Sequence, residues 1–493
     1  MTSRPATAEP ETTVLGHPRG LATLFGTEMW ERFSFYGMRA ILAFFLIASP
    51  AANGLGLPQQ TAYAVVGVYG SLIYLVALPG GWLADRVLGA RRAVLAGGIV
   101  IMAGHISMAV PVRTPAFVWL GLLLIIVGTG LVKPNLSSMV GRLYPRDDNA
   151  RRDAGFSIFY FGVNIGAFAA PYVVGDWLAR DGRWHLGFGA AAVGMALGLI
   201  QYVRGWRNLD GAGMEPGHRL TAAERARFTR LAGVGCAGTA VVAALWAVSG
   251  TFTLDRLTVV LTVVAIAIPT GYFGYILRGD HDLTEFERSR VRAYIWLFVA
   301  AAIFWMIYDL APSVLNVFAR DRTDLSLFGM RMEAATTQAI NPLFVLILCP
   351  VFAVLWVRLG DRVSASQKFA LGLVLCGLSF VVMALAAHLA AGGRVSLWWL
   401  VLVYLVQVFG ELSLSPVGLS VTTHLAPKSF QSQMLGVWFL SFAVGDAVGG
   451  QTARLLGYMS EPMYFLTLAL IAVAAGLVLL MFARRLTHLM RDD

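Results

Sequence analysis

The sequence predicts an all-α membrane protein of fourteen transmembrane helices, two six-helix bundles with a two-helix insertion between them. Three observations carry that prediction. The chain has 493 residues, 57% of them hydrophobic and only 13% charged, too little charge to cover a soluble protein of this length. Apolar runs of roughly 18 residues or more recur along most of the sequence, each long enough to cross ~30 Å of hydrocarbon as a helix. They alternate too weakly to be the strands of a barrel. Lys and Arg are unevenly distributed: about 26 of the 38 fall in loops on one side and about nine on the other. That asymmetry accounts for the net charge of +10 without nucleic acid, which is excluded as a partner.

The elements follow in order. Met1 to Pro18 is polar and rich in Thr, Pro and Glu, the composition of a disordered tail, and lacks the basic-then-apolar order of a signal peptide. Residues 19–206 hold six spans, centred near Phe35, Ser71, Val100, Ile126, Val163 and Val193. Residues 207–284 form a linker with two inserted spans near Ala240 and Val264. That pair has no charge within its apolar runs and Pro269 as its breaker, so it is expected to be structural and to line no pathway. Residues 285–493 hold the last six spans, centred near Ile303, Leu346, Leu378, Leu405, Phe442 and Ala472. An even count puts both termini on one side, and the Arg-rich loops make that side the cytoplasm. Cys236, Cys349 and Cys376 sit in apolar runs without metal-ligand spacing, so neither a metal nor a disulfide is expected.

The two six-span blocks read as copies. LADRV (Leu83 to Val87) follows the second span, and LGDRV (Leu359 to Val363) follows the span near Leu346. A similar offset carries FYFGVNIGAF of the fifth span onto VWFLSFAVGD of the penultimate one. Two parallel repeats with a site between them is a transporter architecture. The longer stretch GGWLADRVLGARR resembles the loop signature of the major facilitator superfamily.

Charges inside the spans mark the candidate site. One ionised group at the bilayer centre costs at least ~2.5–3.5 kcal/mol, yet TEMWERFSFYGMR (Thr27 to Arg39) carries four. Glu28, Arg32, Phe35 and Arg39 follow helical spacing and share a face, with Glu31 and Tyr36 beside it. Glu28 and Arg32 can pair at i, i+4. The cluster either packs helices as a satisfied group or binds a proton. The second reading follows from the count, because one guanidinium neutralises only one of two carboxylates. Lys133 lies midway through the fourth span, Asp309 in FWMIYDLAPS, and Glu411 in FGELSLSPVG. Pro134, Pro312 and Pro416 break the spans beside them. Outside the glutamate–arginine cluster, the first half thus offers cations and the second half anions. Opposed walls of this kind suit a zwitterion, its carboxylate toward Arg39 and Lys133 and its ammonium toward Glu411.

Together these residues resemble the proton-coupled oligopeptide transporter family of the major facilitator superfamily, over nearly the whole chain from about Gly20 to Arg485. The ExxER hallmark is Glu28, Glu31 and Arg32, followed by Phe33, Tyr36 and Gly37. FYxxxNxG appears as Phe159, Tyr160, Asn164 and Gly166, and INPLF (Ile340 to Phe344) and GELSLSPVG (Gly410 to Gly418) also match. The resemblance implies that Glu28, Glu31 and Arg32 couple proton movement to transport. It implies a peptide site lined by Arg39, Tyr36, Tyr74, Lys133 and Asn164 from the first half and by Asn341, Glu411, Ser415 and Trp438 from the second. Gating is expected from the pairs Arg39–Asp309 and Lys133–Glu411. Two departures stand out. Phe35 occupies a position where the family often has Tyr, and Asp309 one where several bacterial members have Glu, which leaves its role open between ammonium, proton and gate. His105 and His185 receive no role.

The expected function is proton-driven symport of di- and tripeptides into a bacterial cytoplasm across the plasma membrane, by a monomer with no cofactor beyond the proton gradient. The alternative is the same fold carrying nitrate or a peptide-like metabolite. A membrane enzyme is not expected, since the sequence has no Ser/His/Asp set, metal cluster or phosphate loop. A passive channel is disfavoured by the repeat.

Overall fold

In the computed structural model, the described residues are 13–490 apart from 15, 112–113, 146–147, 217–219, 279–282, 328 and 428–429. Most of the expected tail and part of the polar stretch at 278–290 lie outside the described residues.

Apolar runs become fourteen long helices. The first six are α1 (Arg19–Ile47), α2 (Gln59–Leu83), α3 (Ala90–Ala109), α4 (Ala116–Arg142), α5 (Asn149–Ala170) and α6 (Trp184–Arg204). The inserted pair is α7 (Ala222–Val248) and α8 (Leu254–Arg278). After α9 (Glu285–Tyr308) comes the short α10 (Asn316–Arg322), then α11 (Ile340–Leu359), α12 (Ala365–Leu389), α13 (Trp398–Leu425), α14 (Gln431–Thr452) and α15 (Glu461–Met490). Among the described residues, twelve helical segments are long and apolar enough to cross a membrane; α1, with its five charges, and α14 complete the fourteen.

Local sequence explains the boundaries. Thr284 and Glu287 form a reciprocal capping box that starts α9, as Ser364 and Gln367 do for α12. Pro312 interrupts the ninth span, so α9 ends at Tyr308, a wide turn of Ala311–Leu315 follows, and α10 resumes the direction. Asp309 sits at that break as the C-cap of α9.

Helix packing repeats between the halves. In the first, α1 packs on α5 and α6, α3 on α4 and α6, and α2 on α4. In the second, α9 packs on α14 and α15, α12 on α13 and α15, and α11 on α13. The bundles join through equivalent pairs, α2 with α14 and α5 with α11. Of the inserted pair, α8 lies against α2 and α14 with Thr258, Thr262, Ala265, Pro269, Phe273 and Ile276 as one buried stripe, whereas α7 buries none of its residues.

Closure of the two bundles lies on the side opposite the helix ends at Arg19 and Met490. There the Asn316 side-chain amide donates to the Ala40 carbonyl at 2.7 Å, and Arg180 pairs with Glu333 at 3.2 Å. The backbones of α2 and α14 cross where a methyl on Gly67 would stand 2.7 Å from the Gly450 Cα, an approach that only small residues allow. On the other side, Phe156, Ile158 and Phe161 of α5 and Val351, Val354 and Val357 of α11 are exposed.

Candidate functional site

Helical spacing sets the first charge cluster within a single helix. Arg32 Nε donates to Glu28 Oε1 at 2.8 Å and stands 2.8 Å from Glu31 Oε2 without hydrogen-bond alignment. All three side chains are buried, Glu31 at 1% exposure. Glu28 Oε2, Glu31 Oε2 and Arg32 Nη2 have no hydrogen-bond partner. Two buried carboxylates thus share one guanidinium, and the second carboxylate has an open oxygen on which a proton can reside. Lys133 of α4 faces Arg32, Glu31 and Glu28, and the ammonium rests 3.7 Å from the centroid of the Tyr74 ring.

Two turns along α1, Arg39 Nη2 donates to Asp309 Oδ1 at 2.9 Å, joining the two bundles through a largely buried ion pair. Phe35 lies between the two guanidinium groups of its own helix. Its ring centroid is 5.5 Å from the Arg32 carbon Cζ and 5.7 Å from that of Arg39. No hydroxyl is present on that ring, so it interacts with both cations through its face alone. Tyr36, packed edge-on against Phe35 at 5.1 Å, has Arg32, Arg39, Asp309 and Glu411 around it.

On the opposite wall, Asn341 Nδ2 donates to the Tyr308 hydroxyl at 2.8 Å, and that hydroxyl donates to Glu411 Oε2 at 2.5 Å. Tyr160 of α5 faces Glu411 and Tyr36 and remains partly exposed, so it lines an open space between the bundles. An aromatic wall completes the site: Tyr74 lies 4.9 Å from Phe442, which stacks on Trp305 at 3.8 Å. The result is a space with cations and a glutamate pair on one wall, and a hydrogen-bonded carboxylate with an amide on the other. Opposed walls of this kind are chemically complementary to a small molecule with separated charges.

The sequence model of the POT family matches residues 91–467 of this chain. The chain belongs to the POT family. A di-/tripeptide transporter of Lactococcus lactis subsp. lactis is 41% identical over 98% of this chain and 98% of its own. An uncharacterized transporter of Bacillus subtilis, YclF, is 45% identical over 96% of this chain and 95% of its own. A crystal structure of a peptide transporter POT in complex with sulfate superposes with a TM-score of 0.93 at 47% identity, covering 98% of both chains.

Within this POT protein, the structure differs from the sequence expectation at three places. Lys133 and Glu411 do not pair in this conformation: Lys133 is drawn to the Tyr74 ring and the α1 glutamates, and Glu411 is held by Tyr308. Trp438 is 1% exposed and does not line the open space. Its indole fills the gap left by Gly418, where a methyl would stand 2.0 Å from Cη2, and it packs edge-on behind Phe442. Asn164 turns its amide back to the Tyr160 carbonyl at 3.0 Å, and Ser415 is partly exposed on α13. Sequence reasoning missed Tyr308 and Asp446. Tyr308 directly precedes Asp309, and a hydroxyl beside a span-breaking carboxylate was the available signal. Asp446 was visible as a lone carboxylate in the apolar run SFAVGDAVGG.

Proposed function

We propose that this protein is a proton-coupled symporter that imports di- and tripeptides by alternating access. The observation that carries the proposal is the buried trio of Glu28, Glu31 and Arg32, one proton-binding carboxylate in excess, beside a space whose walls carry opposite charge. Transport of di- and tripeptides by the L. lactis relative supports the substrate class. The peptide carboxylate faces Arg39 and Lys133, and its ammonium faces Glu411. Tyr36, Tyr74, Asn341 and Ser415 contact the backbone amides, Asn164 holds the Tyr160 turn beside them, and Trp438 backs the aromatic wall. Side chains of the peptide then meet loose surroundings, which favours breadth over selectivity.

The bodies that move are residues 19–206 and 285–493, with 207–284 as a structural insertion on the outside. The protein works as a monomer in the inner membrane of a bacterium, with both termini in the cytoplasm and no cofactor or catalytic step. In that orientation the conformation described is open inward, and Arg39–Asp309 is the gate on the outer side. Proteoliposomes given an inward proton gradient should accumulate labelled dialanine, and a protonophore should collapse the accumulation. Uptake that stops at the external concentration with the gradient intact would exclude symport.

A further inference from the structure

The inserted helix α8 is fastened to the second bundle along its length. At its end on the closed side, Arg454, in the turn after α14, meets two α8 residues. Its Nη2 donates to the Thr258 hydroxyl at 2.9 Å and stands 2.9 Å from Asp255 Oδ1. One turn deeper, Gln451 Nε2 of α14 donates to the Thr262 hydroxyl at 3.2 Å. Towards the other end, the Tyr272 hydroxyl donates to Gln433 Oε1, and Phe273 packs edge-on against Phe298 of α9 at 5.2 Å. Thr258 and Thr262 are buried, so their hydroxyls must find partners within the protein, and α14 with its following turn supplies them.

On the closed side, α8 also reaches the first bundle. The Thr61 hydroxyl of α2 donates to Asp255 Oδ1 at 3.0 Å, the same oxygen that faces Arg454. Thr61 is buried and belongs to the first turn of α2. One carboxylate oxygen on α8 is thus shared between a hydroxyl of one bundle and a guanidinium of the other. Arg454 Nη2 also donates to the Asp255 carbonyl at 3.3 Å, so it holds both the side chain and the backbone of that residue. Oδ1 is therefore set in place in advance, and Thr61 docks on it with little further loss of side-chain freedom.

We propose that Asp255 is a latch between the bundles, carried on the inserted helix and engaged by Thr61 only when that side of the interface is closed. Opening parts α2 from α14, and α8 follows α14 through the contacts along its length. The Thr61–Asp255 hydrogen bond then breaks, while the Arg454–Asp255 pair survives and keeps the carboxylate ready. Asp255 is a positioning residue: it sets the ratio of closed to open states. Its side chain is half exposed, so the latch biases the equilibrium rather than fixing it. Loss of the bond should lower the closed-to-open ratio about two- to fivefold, the range for an exposed charged contact. The inference rests on the proposed alternating-access transport and gives the insertion a part in it.

The test is a distance measurement between spin labels on exposed Ala51→Cys and Tyr458→Cys, in protein carrying Cys236→Ser and Cys349→Ala in lipid nanodiscs. Thr61→Val should reduce the short-distance population, and Thr61→Ser, which keeps the hydroxyl, should restore it. Asp255→Ala should act as Thr61→Val does, and the double variant should add nothing, since both remove one bond. Thr270→Val, on the exposed face of α8, is the control and should match the parent. A Thr61→Val distribution that superposes on that of the parent overturns the proposal, as does full additivity in the double variant. If such a parent still accumulates dialanine, the transport reading survives alone. A shift in Thr61→Val that Thr61→Ser reverses, in a protein without gradient-driven uptake, leaves the latch standing and removes the transport reading.

Discussion

Two buried groups in this molecule have the same inventory, one guanidinium and two carboxylates, but are assembled differently. Glu28, Glu31 and Arg32 come from one turn of α1 and move as one body. Arg39, Asp309 and Asp446 come from α1, α9 and α14, and the bundles must part for that group to separate. The first keeps its geometry through any rocking motion, so it suits a site that stores a proton. The second exists only in one state, so it suits a gate. Composition alone does not distinguish these roles; the number of helices contributing does.

Substitutions that damage one group and spare the other sharpen this contrast. The largest effect is expected from Arg32→Ala, which leaves two buried carboxylates without their cation at a cost of about 3–5 kcal/mol. It should lower the thermal melting temperature and yield of purified protein far more than Arg39→Ala, which exposes its partners by opening the interface. Equal losses for the two variants would break the contrast.

Gly70→Ala is expected to act only on the gate. The new methyl meets Asp446 Oδ2 at 2.4 Å, and overpacking of this kind costs about 1–3 kcal/mol, charged to the closed state. The labelled Ala51–Tyr458 distance should lengthen. Gly81→Ala, where the nearest atom stands 3.6 Å away, is the matched control and should leave that distance unchanged. The smallest effect is expected from Phe35→Leu. The ring touches both guanidinium groups, so its loss removes about 0.5–2 kcal/mol of cation–π stabilisation from each. Uptake kinetics should show a modest change in both the pH optimum and the KM for dialanine. A change in one alone would mean that the ring serves only one of the groups.

The contrast also explains what was legible in the sequence. Fourteen helices could be read because each apolar run in lipid has to satisfy its own backbone, and the repeat could be read from LADRV and LGDRV. The α1 trio was legible because intrahelical spacing is a property of the sequence itself. Arg39 with Asp309 could be paired from the opposite charges of the two halves and from the resemblance, though nothing local links them. Asp446 stood in plain view but gained meaning only once the glycine crossing brought it to Gly70. Lys133 and Glu411 were expected to pair from their opposite charge, yet each found a nearer partner in this conformation, the Tyr74 ring and the Tyr308 hydroxyl. Trp438 was read as a wall of the site, and the absent side chain of Gly418 drew it into the packing instead. Contacts between distant helices were the part that the sequence left open.

The central claim is that the single-helix trio couples the proton while the inter-bundle trio gates. Proteoliposomes containing Glu31→Gln test it most directly, with gradient-driven dialanine accumulation and dialanine counterflow measured on the same preparation. The account predicts that accumulation is lost and counterflow persists, since the gate and the substrate walls are intact. Gradient-driven accumulation at the parent level in Glu31→Gln would contradict it.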